Sequence, residues 1–158
     1  MPPKASAKLS PWYRPSAFRY TGILSLANLE ENSSHGKMLS MAPPGSRVLE
    51  TGCANGRFSR VLVEHDCRVV GVELDEGAAS DAAQFCEQVI VGNLEATEIQ
   101  QQIPDGFDLI LFGDVLEHLA EPWNVLQALR PKLKPGGCIV ISIPNVAHWD
   151  VRIGLLAG

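Results

Sequence analysis

Several features that define whole classes of protein are missing or scarce in this sequence. Its 158 residues include four cysteines, and no two of them form a Cys-x-x-Cys pair: Cys53, Cys67, Cys86 and Cys138. This spacing argues against a zinc site or a disulfide framework and is typical of a reduced protein. No apolar run approaches the ~18 residues that a membrane span requires. The N-terminal residues lack the apolar segment of a secretory signal, so we expect a cytoplasmic protein.

A large excess of one charge is also missing. The chain has 13 basic and 18 acidic residues, and its net charge of −5 argues against non-specific binding to nucleic acid or an anionic membrane. With 46% hydrophobic residues, the composition is that of one globular domain with its own core. Residues 1–22, rich in Pro, Ser and Lys, are predicted to be a mobile arm, whose aromatic residues either pack on the domain or cover its ligand. Residues 23–158 are predicted to form the domain.

Short apolar runs alternate with helical segments from Pro43 onwards. The runs predict five strands, at 47–51, 68–73, 88–91, 107–112 and 138–143. Helices are predicted after a cap at Asn32 or Ser33 and at about 56–65, 76–86 and 121–133. This alternation predicts an α/β fold, Rossmann-like and doubly wound, with a mainly parallel sheet and helices on both faces. In such a sheet, ligands bind at the carboxyl ends of the strands.

The corner after the first predicted strand carries the strongest functional signal. Residues 48–50 end in a carboxylate and lead into the glycine-containing loop 51–56, which a helix follows. Glycine lets the backbone approach a nucleotide-like ligand closely. The next strand ends in Glu73, where a carboxylate can accept hydrogen bonds from ribose hydroxyls. Asn93 and Asp114 follow further strand ends, so this edge of the sheet predicts a site for a nucleoside-bearing cofactor.

Five segments in order resemble the motifs of class I S-adenosylmethionine-dependent methyltransferases. They are Glu50-Thr51-Gly52-Cys53-Ala54-Asn55-Gly56, Gly71-Val72-Glu73-Leu74-Asp75, Gly92-Asn93-Leu94-Glu95, residues 107–119 and Leu133-Lys134-Pro135-Gly136-Gly137. The resemblance covers residues 45–149 and implies a methyltransferase (EC 2.1.1.-) acting on an unidentified small-molecule or sugar-related acceptor. The family fold has seven strands, so the resemblance also implies that the last strands are lacking here. The fifth strand would then be an open edge through which two copies can pair.

The resemblance implies S-adenosyl-L-methionine as cofactor and S-adenosyl-L-homocysteine as product. The residues implied to bind it are Glu50, Gly52, Cys53, Ala54, Gly56, Glu73, Leu74, Asn93, Leu94 and Asp114. Among them, Gly52 and Gly56 would approach the methionine part, Glu73 the ribose, and Leu74 and Asn93 the adenine.

Two of these positions depart from the family pattern. Ala54 stands where a glycine is usual, which we expect the fold to tolerate if its backbone angles are ordinary. Asn93 stands where an aspartate is usual, and its carbonyl oxygen can still accept a hydrogen bond.

Asp114 and His118 are the predicted catalytic residues. Asp114 would border the methionine and the acceptor, and His118 would act as general base. Structural alternatives are a helix cap for Glu117 and a loop hydrogen bond for His118. The pattern Asp114-x-x-Glu117-His118 is also similar to a metal motif of some methyltransferases, but no further ligand is identified and no metal is predicted. After the fifth strand, the segment 145–149 either borders the acceptor or packs on the sheet edge.

Two other functions fit parts of this pattern. A non-catalytic binding or regulatory module would keep the fold and bind the cofactor without turnover. A nicotinamide-dependent enzyme would need a Gly-x-Gly-x-x-Gly fingerprint. Counted from Gly52, that fingerprint requires glycine at positions occupied by Ala54 and Arg57, which argues against this function.

Overall fold

The structure, a computed structural model, describes residues 24–145. The predicted arm at 1–22 and the acceptor-loop residues His148 and Trp149 lie outside these residues. Five strands form one sheet: β1 Arg47–Thr51, β2 Arg68–Glu73, β3 Gln88–Val91, β4 Phe107–Gly113 and β5 Leu133–Ser142. Every pairing is parallel and the order is β3-β2-β1-β4-β5. This confirms the predicted Rossmann-like parallel sheet.

Five helices connect and flank the strands: α1 Ser34–Ser40, α2 Arg57–Glu64, α3 Glu76–Ala82, α4 Thr97–Gln102 and α5 Pro122–Leu129. The cap predicted at Asn32 or Ser33 is Ser33, whose hydroxyl accepts the Gly36 N–H at 3.0 Å. Pro122 begins α5 at a position where its missing N–H costs no helical hydrogen bond. No helix in residues 24–145 is long and apolar enough to cross a membrane.

Two apolar clusters fill the two faces of the sheet. One joins Met38 of α1 and Phe58 of α2 to strand residues such as Val48, and the other joins Val125 of α5 to strand residues such as Leu49. Because successive side chains of a strand point to opposite faces, the alternation of Val48 and Leu49 between clusters shows that both faces are buried. Burial of both faces explains why the strands appear in the sequence as continuous apolar runs.

Three predicted boundaries differ from the structure. The helix predicted at 76–86 ends at Ala82, and the one predicted at 121–133 ends at Leu129, where a 3-10 turn containing Pro131 replaces it. The strand predicted at 138–143 begins earlier, at Leu133, which pairs with Phe107. A bulge in this pairing lets the glycine-rich stretch continue along β4. Pairing with β4 therefore extends β5 towards Leu133, and the local sequence gives no sign of this pairing.

The open edge predicted for the fifth strand is present in the described part of the chain. Within residues 24–145, β5 has β4 as its single neighbour. Ile141 is 44% exposed and Ile143, just beyond the strand, is 64% exposed. Lys134 near the start of β5 pairs with Asp108 of β4 at 2.7 Å.

Candidate functional site

A cavity of about 470 Å³ lies where β1, β2, β3 and β4 end. This volume lies within the ~300–1,000 Å³ typical of small-molecule sites. Ten of the residues predicted to bind cofactor or to act in catalysis line it: Glu50, Gly52, Cys53, Ala54, Glu73, Leu74, Asn93, Leu94, Asp114 and His118. The predicted position of the site at the carboxyl edge of the sheet therefore coincides with the main concavity that these strands form.

The two glycines of the loop after β1 do different jobs. Gly52 lines the cavity with φ +64°, and a Cβ there would lie 2.7 Å from Val115 Cγ2. Gly56 has φ +76°, and a Cβ there would lie 2.7 Å from Ala82 Cα, so it faces α3 and is not among the residues that line the cavity. Gly52 thus permits close packing of the loop on Val115 at the cavity wall, and Gly56 permits close packing of the loop on α3. The approach of a ligand to Gly52 stays a prediction.

Ala54 adopts a backbone conformation that the sequence analysis did not anticipate. Its φ is +47°, in the left-handed region. The condition of ordinary angles, under which we expected the fold to tolerate alanine, is therefore not met: alanine stands in place of the usual glycine and the backbone is left-handed. The left-handed conformation costs a residue with a Cβ about 1–2 kcal/mol, so the loop carries local strain at the cavity wall.

Glu73 organises the loops on the β2 side of the cavity. Its Oε2 accepts the Ala54 N–H at 2.8 Å, and its Oε1 accepts the N–H groups of Leu74 and Asp75 at 2.8 and 2.9 Å. A carboxylate offers about four lone-pair positions, so acceptor capacity is left for a ligand hydroxyl. The side chain predicted to bind ribose is thus already anchored, and it ties the loop after β1 to the end of β2.

Glu50 is a buried acid between the sheet and α2. It is 7% exposed, and its Oε2 accepts the Ser59 hydroxyl at 2.5 Å. Burial raises the pKa of Glu50 to about 8, with smaller contributions from Cys86 and Glu73, while the Ser59 hydrogen bond opposes the shift. The carboxyl group therefore carries a proton at neutral pH, and a cation bound in the cavity would favour its ionised form.

Two asparagines in the cavity wall have buried polar atoms without a hydrogen-bond partner. Asn93 uses its Oδ1 to accept the Glu95 N–H at 3.0 Å, which leaves the Nδ2 donor unpaired. Asn55 in the loop after β1 has an unpaired Oδ1 acceptor. Buried polar groups are normally hydrogen-bonded, so these atoms indicate a polar ligand. The Asn93 carbonyl was expected to accept a hydrogen bond, and the backbone N–H of Glu95 already uses part of this acceptor capacity.

Asp114 lies on the β4 side of the cavity in a second left-handed conformation, with φ +53°. Its Oδ1 accepts the Ser142 hydroxyl at 2.7 Å, and its N–H reaches the Ser142 carbonyl at 3.2 Å. His118 ends a short 3-10 turn, Leu116–His118, that follows Asp114. Glu117 lies within this turn and does not cap a helix. Both predicted catalytic side chains line one cavity wall, and their roles stay predictions.

Sequence reasoning missed the contribution of α1 and of the first turn of α2. His35 and Arg57 line the cavity, and the His35 ring meets Phe58 edge-on at 4.7 Å between centroids. Burial lowers the pKa of His35; the Asp114 charge opposes this shift and the Arg57 charge adds to it. His35 is therefore a neutral imidazole at neutral pH. In the sequence, His35 is only a histidine that follows the cap residue Ser33, and no local pattern predicts that α1 lies over the cavity.

The described part of the chain contains no cluster of side chains that could bind a metal ion. Residues 24–145 contain no group of three or more His, Cys, Asp or Glu side chains placed to hold a metal ion. Asp114, Glu117 and His118 therefore do not form such a group in the described residues.

Known proteins share both the sequence pattern and the fold. A family model described as a methyltransferase domain matches residues 26–157. A ubiquinone biosynthesis O-methyltransferase of Idiomarina loihiensis is 31% identical over 69% of this chain and 47% of its own length. One of Acinetobacter baylyi is 25% identical over 85% of this chain and 57% of its own. The chain spans about half the length of these curated relatives.

Among solved structures, a TehB-like SAM-dependent methyltransferase from Corynebacterium glutamicum is similar with a TM-score of 0.62 and 29% identity. The match covers 82% of this chain and 72% of that structure. The family model, which covers most of the chain, and this shared fold agree with the five motifs of the sequence. The chain belongs to the class I S-adenosylmethionine-dependent methyltransferase family, whose cofactor is S-adenosylmethionine.

Proposed function

We propose that this chain binds S-adenosylmethionine in the cavity at the carboxyl edge of the sheet and catalyses methyl transfer to a hydroxyl group of a small-molecule acceptor. The observation that carries the proposal is that ten predicted site residues from four strand ends line one cavity. The relatives named as O-methyltransferases support an oxygen acceptor. A sugar-related acceptor belongs to the same proposal.

The residues of the cavity suit the chemical parts of the cofactor. Leu74 and Leu94 offer apolar surface for a base, and the unpaired Asn93 Nδ2 suits a ring nitrogen of adenine. The spare acceptor capacity of Glu73 suits ribose hydroxyls. Arg57 suits the carboxylate of the methionine part, and the unpaired Asn55 Oδ1 suits its ammonium group. Each unpaired asparagine atom thus has a complementary group in the cofactor: an acceptor for the Asn93 donor and a donor for the Asn55 acceptor.

When bound, the cofactor supplies an electrophilic methyl group on a sulfonium. The protein's part is to align the acceptor oxygen, to exclude water and to accept the hydroxyl proton. His118 and His35 are the two imidazoles of the cavity wall, and a neutral imidazole nitrogen can take that proton. The Asp114 charge raises the pKa of His35, so its carboxylate would stabilise an imidazolium that forms there.

The first test is calorimetric titration with S-adenosylhomocysteine, repeated with NAD and with Glu73→Ala. We expect micromolar binding of S-adenosylhomocysteine, loss of that binding in the variant and none with NAD. A Kd near 1 μM corresponds to a free energy of binding of about 8 kcal/mol. Incubation with S-adenosylmethionine and a panel of phenols, sugars and amines then measures release of S-adenosylhomocysteine. Binding without turnover on any acceptor would favour the non-catalytic module, and binding of NAD would contradict the proposal.

Two further parts of the proposal concern the state of the protein. We propose that two copies pair through β5, because this strand has a free edge in residues 24–145 and exposes Ile141. Light scattering on the wild type and on Ile141→Lys would show a dimer that the variant loses.

We also propose that the protein is cytoplasmic, because its described cysteines are free thiols. Cell fractionation tests this location.

A further inference from the structure

Two thiols that the proposed chemistry does not use lie together beneath the loop after β1. Cys53 belongs to that loop and is 2% exposed, and Cys86, between α3 and β3, is partly buried. Both side chains lie against Gly71 of β2. The other two cysteines lie elsewhere. Cys67, at the start of β2, faces the carbonyls of Pro43 and His65 at the opposite end of that strand, and Cys138 is exposed on β5.

Gly71 of β2 makes room for this pair. A Cβ at Gly71 would lie 2.6 Å from Cys53 Sγ and 3.4 Å from Cys86 Sγ. Both sulfur atoms therefore occupy the space above the strand that any other residue at this position would fill. The contact joins the cavity loop to the segment after α3, two parts of the chain that are far apart in sequence.

The surroundings make Cys86 the more reactive thiol. The neighbouring Cys53 thiol lowers the pKa of Cys86 to about 7, against the effect of burial, and the nearby Ser59 side chain contributes more weakly in the same direction. The same contact and burial raise the pKa of Cys53. Thiolates, not thiols, are the nucleophiles, so Cys86 is the sulfur that an oxidant meets first, and Cys53 is positioned to resolve it.

We propose that Cys53 and Cys86 form a disulfide when the protein meets a peroxide, and that this bond weakens ligand binding in the adjoining cavity. The Cys86 thiolate attacks one peroxide oxygen, the O–O bond breaks, and the leaving hydroxide takes up a proton to become water. Cys86 is then a sulfenic acid. The Cys53 sulfur attacks the Cys86 sulfur, the S–O bond breaks, and a second water leaves with the Cys53 proton. Two thiols are oxidised and one peroxide is reduced to two waters.

The coupling to the cavity follows from where Cys53 lies, and it rests on the proposed function. Cys53 lines the cavity between Gly52 and Ala54. A disulfide requires the sulfurs to approach to about 2.05 Å, closer than any thiol–thiol hydrogen bond. The loop and the segment after α3 must therefore move together, which disturbs the Ala54 N–H bond to Glu73.

Peptide mapping of the intact chain tests the bond directly. Trypsin places the cysteines on four separate peptides, because residues 48–57, 61–68, 69–132 and 133–152 each contain one. After treatment with hydrogen peroxide and digestion without reductant, we expect peptide 48–57 linked to peptide 69–132, and release of both by dithiothreitol. The Cys67→Ser, Cys138→Ser double variant keeps the link, and Cys86→Ser loses it. Absence of this linked peptide in the wild type, or linkage of 48–57 to another peptide, would overturn the proposal.

Titration with S-adenosylhomocysteine tests the coupling. We expect the oxidised protein to bind at least about tenfold more weakly than the reduced protein, with recovery after dithiothreitol and no change in Cys86→Ser. Undiminished affinity in the linked protein would overturn the coupling. If the reduced protein itself does not bind S-adenosylhomocysteine, the proposed function fails and the coupling with it, while the peptide map still decides whether the disulfide forms.

Discussion

Glu73 and Asp114 stand at the ends of the two strands that flank β1, yet the protein uses them in opposite ways. The Glu73 carboxylate is partly buried and accepts three backbone N–H groups. Asp114 is exposed, has a left-handed backbone and accepts one hydroxyl, from Ser142. The first acid holds loops in place, and the second presents its remaining oxygen to the cavity.

This difference divides the cavity into two walls. The β2 wall is built by backbone hydrogen bonds to the Glu73 carboxylate, and the proposed function gives this wall the cofactor. The β4 wall relies on side chains around Asp114, and its strained backbone persists because β5 supports it.

Removing the anchoring acid is the strongest way to break the comparison. In Glu73→Gln, the side-chain oxygen and amide cannot replace a carboxylate that accepts three N–H groups. Hydrogen bonds to charged groups contribute about 1.5–3 kcal/mol each, so we expect unfolding by urea to show a loss of about 2–3 kcal/mol and calorimetry to show at least ~100-fold weaker S-adenosylhomocysteine binding. Glu76→Gln, an exposed acid at the start of α3, is the matched control. Equal losses in both variants would contradict the anchoring role.

The buried acid of the central strand predicts a pH dependence of stability. The pKa of Glu50 is about 8 in the folded protein, against 4.5 ordinarily. Between these values the folded state retains a proton that the unfolded state has lost, so stability falls as pH rises. One such proton corresponds to a slope of about 1.4 kcal/mol per pH unit.

Glu50→Gln removes this titration. Urea unfolding at intervals from pH 5 to pH 8 measures the difference between wild type and variant, to which all other groups contribute equally. We expect the stability of the variant relative to wild type to rise with pH across this range. A constant difference would show that Glu50 is ionised in the folded protein.

Strain at Ala54 predicts a stabilising substitution. Ala54→Gly relieves the left-handed conformation, worth about 1–2 kcal/mol, while added chain entropy in the unfolded state offsets about 0.5–1 kcal/mol. We expect a net gain of roughly 0.5–1 kcal/mol in thermal or urea unfolding. Ala83→Gly, where φ is −59°, is the control and should be destabilising by about 0.5–1 kcal/mol. A loss in both variants would contradict the strain argument.

The smallest expected effect concerns the β4 wall. The Asp114 charge raises the pKa of His35 against burial and against Arg57. Asp114→Asn tolerates the same backbone conformation and removes the charge, so the pKa of His35 should fall further. An NMR titration of the His35 ring measures it, with Asp105→Asn on an exposed loop as control. An unchanged His35 titration would show that Asp114 does not act on it.

Part of this molecule could be predicted without a structure. Apolar runs predicted the ends of β1 to β4 to within one residue, because strands that are buried on both faces consist of continuous hydrophobic residues. The same pattern put Glu50, Glu73, Asn93 and Asp114 near one edge of the sheet, since carboxyl ends of parallel strands meet there. The ten predicted residues that are among those lining the cavity follow from this rule and from the family motifs.

The tertiary structure alone decided the rest. The start of β5 at Leu133, the left-handed φ of Ala54, the position of His35 over the cavity and the contact of Cys53 with Cys86 each depend on a distant neighbour. Local sequence determines which side chains face the core and where the turns fall, because periodicity and glycine content act over a few residues. It does not determine which distant groups meet, because that depends on packing between elements that come together only when the sheet is complete.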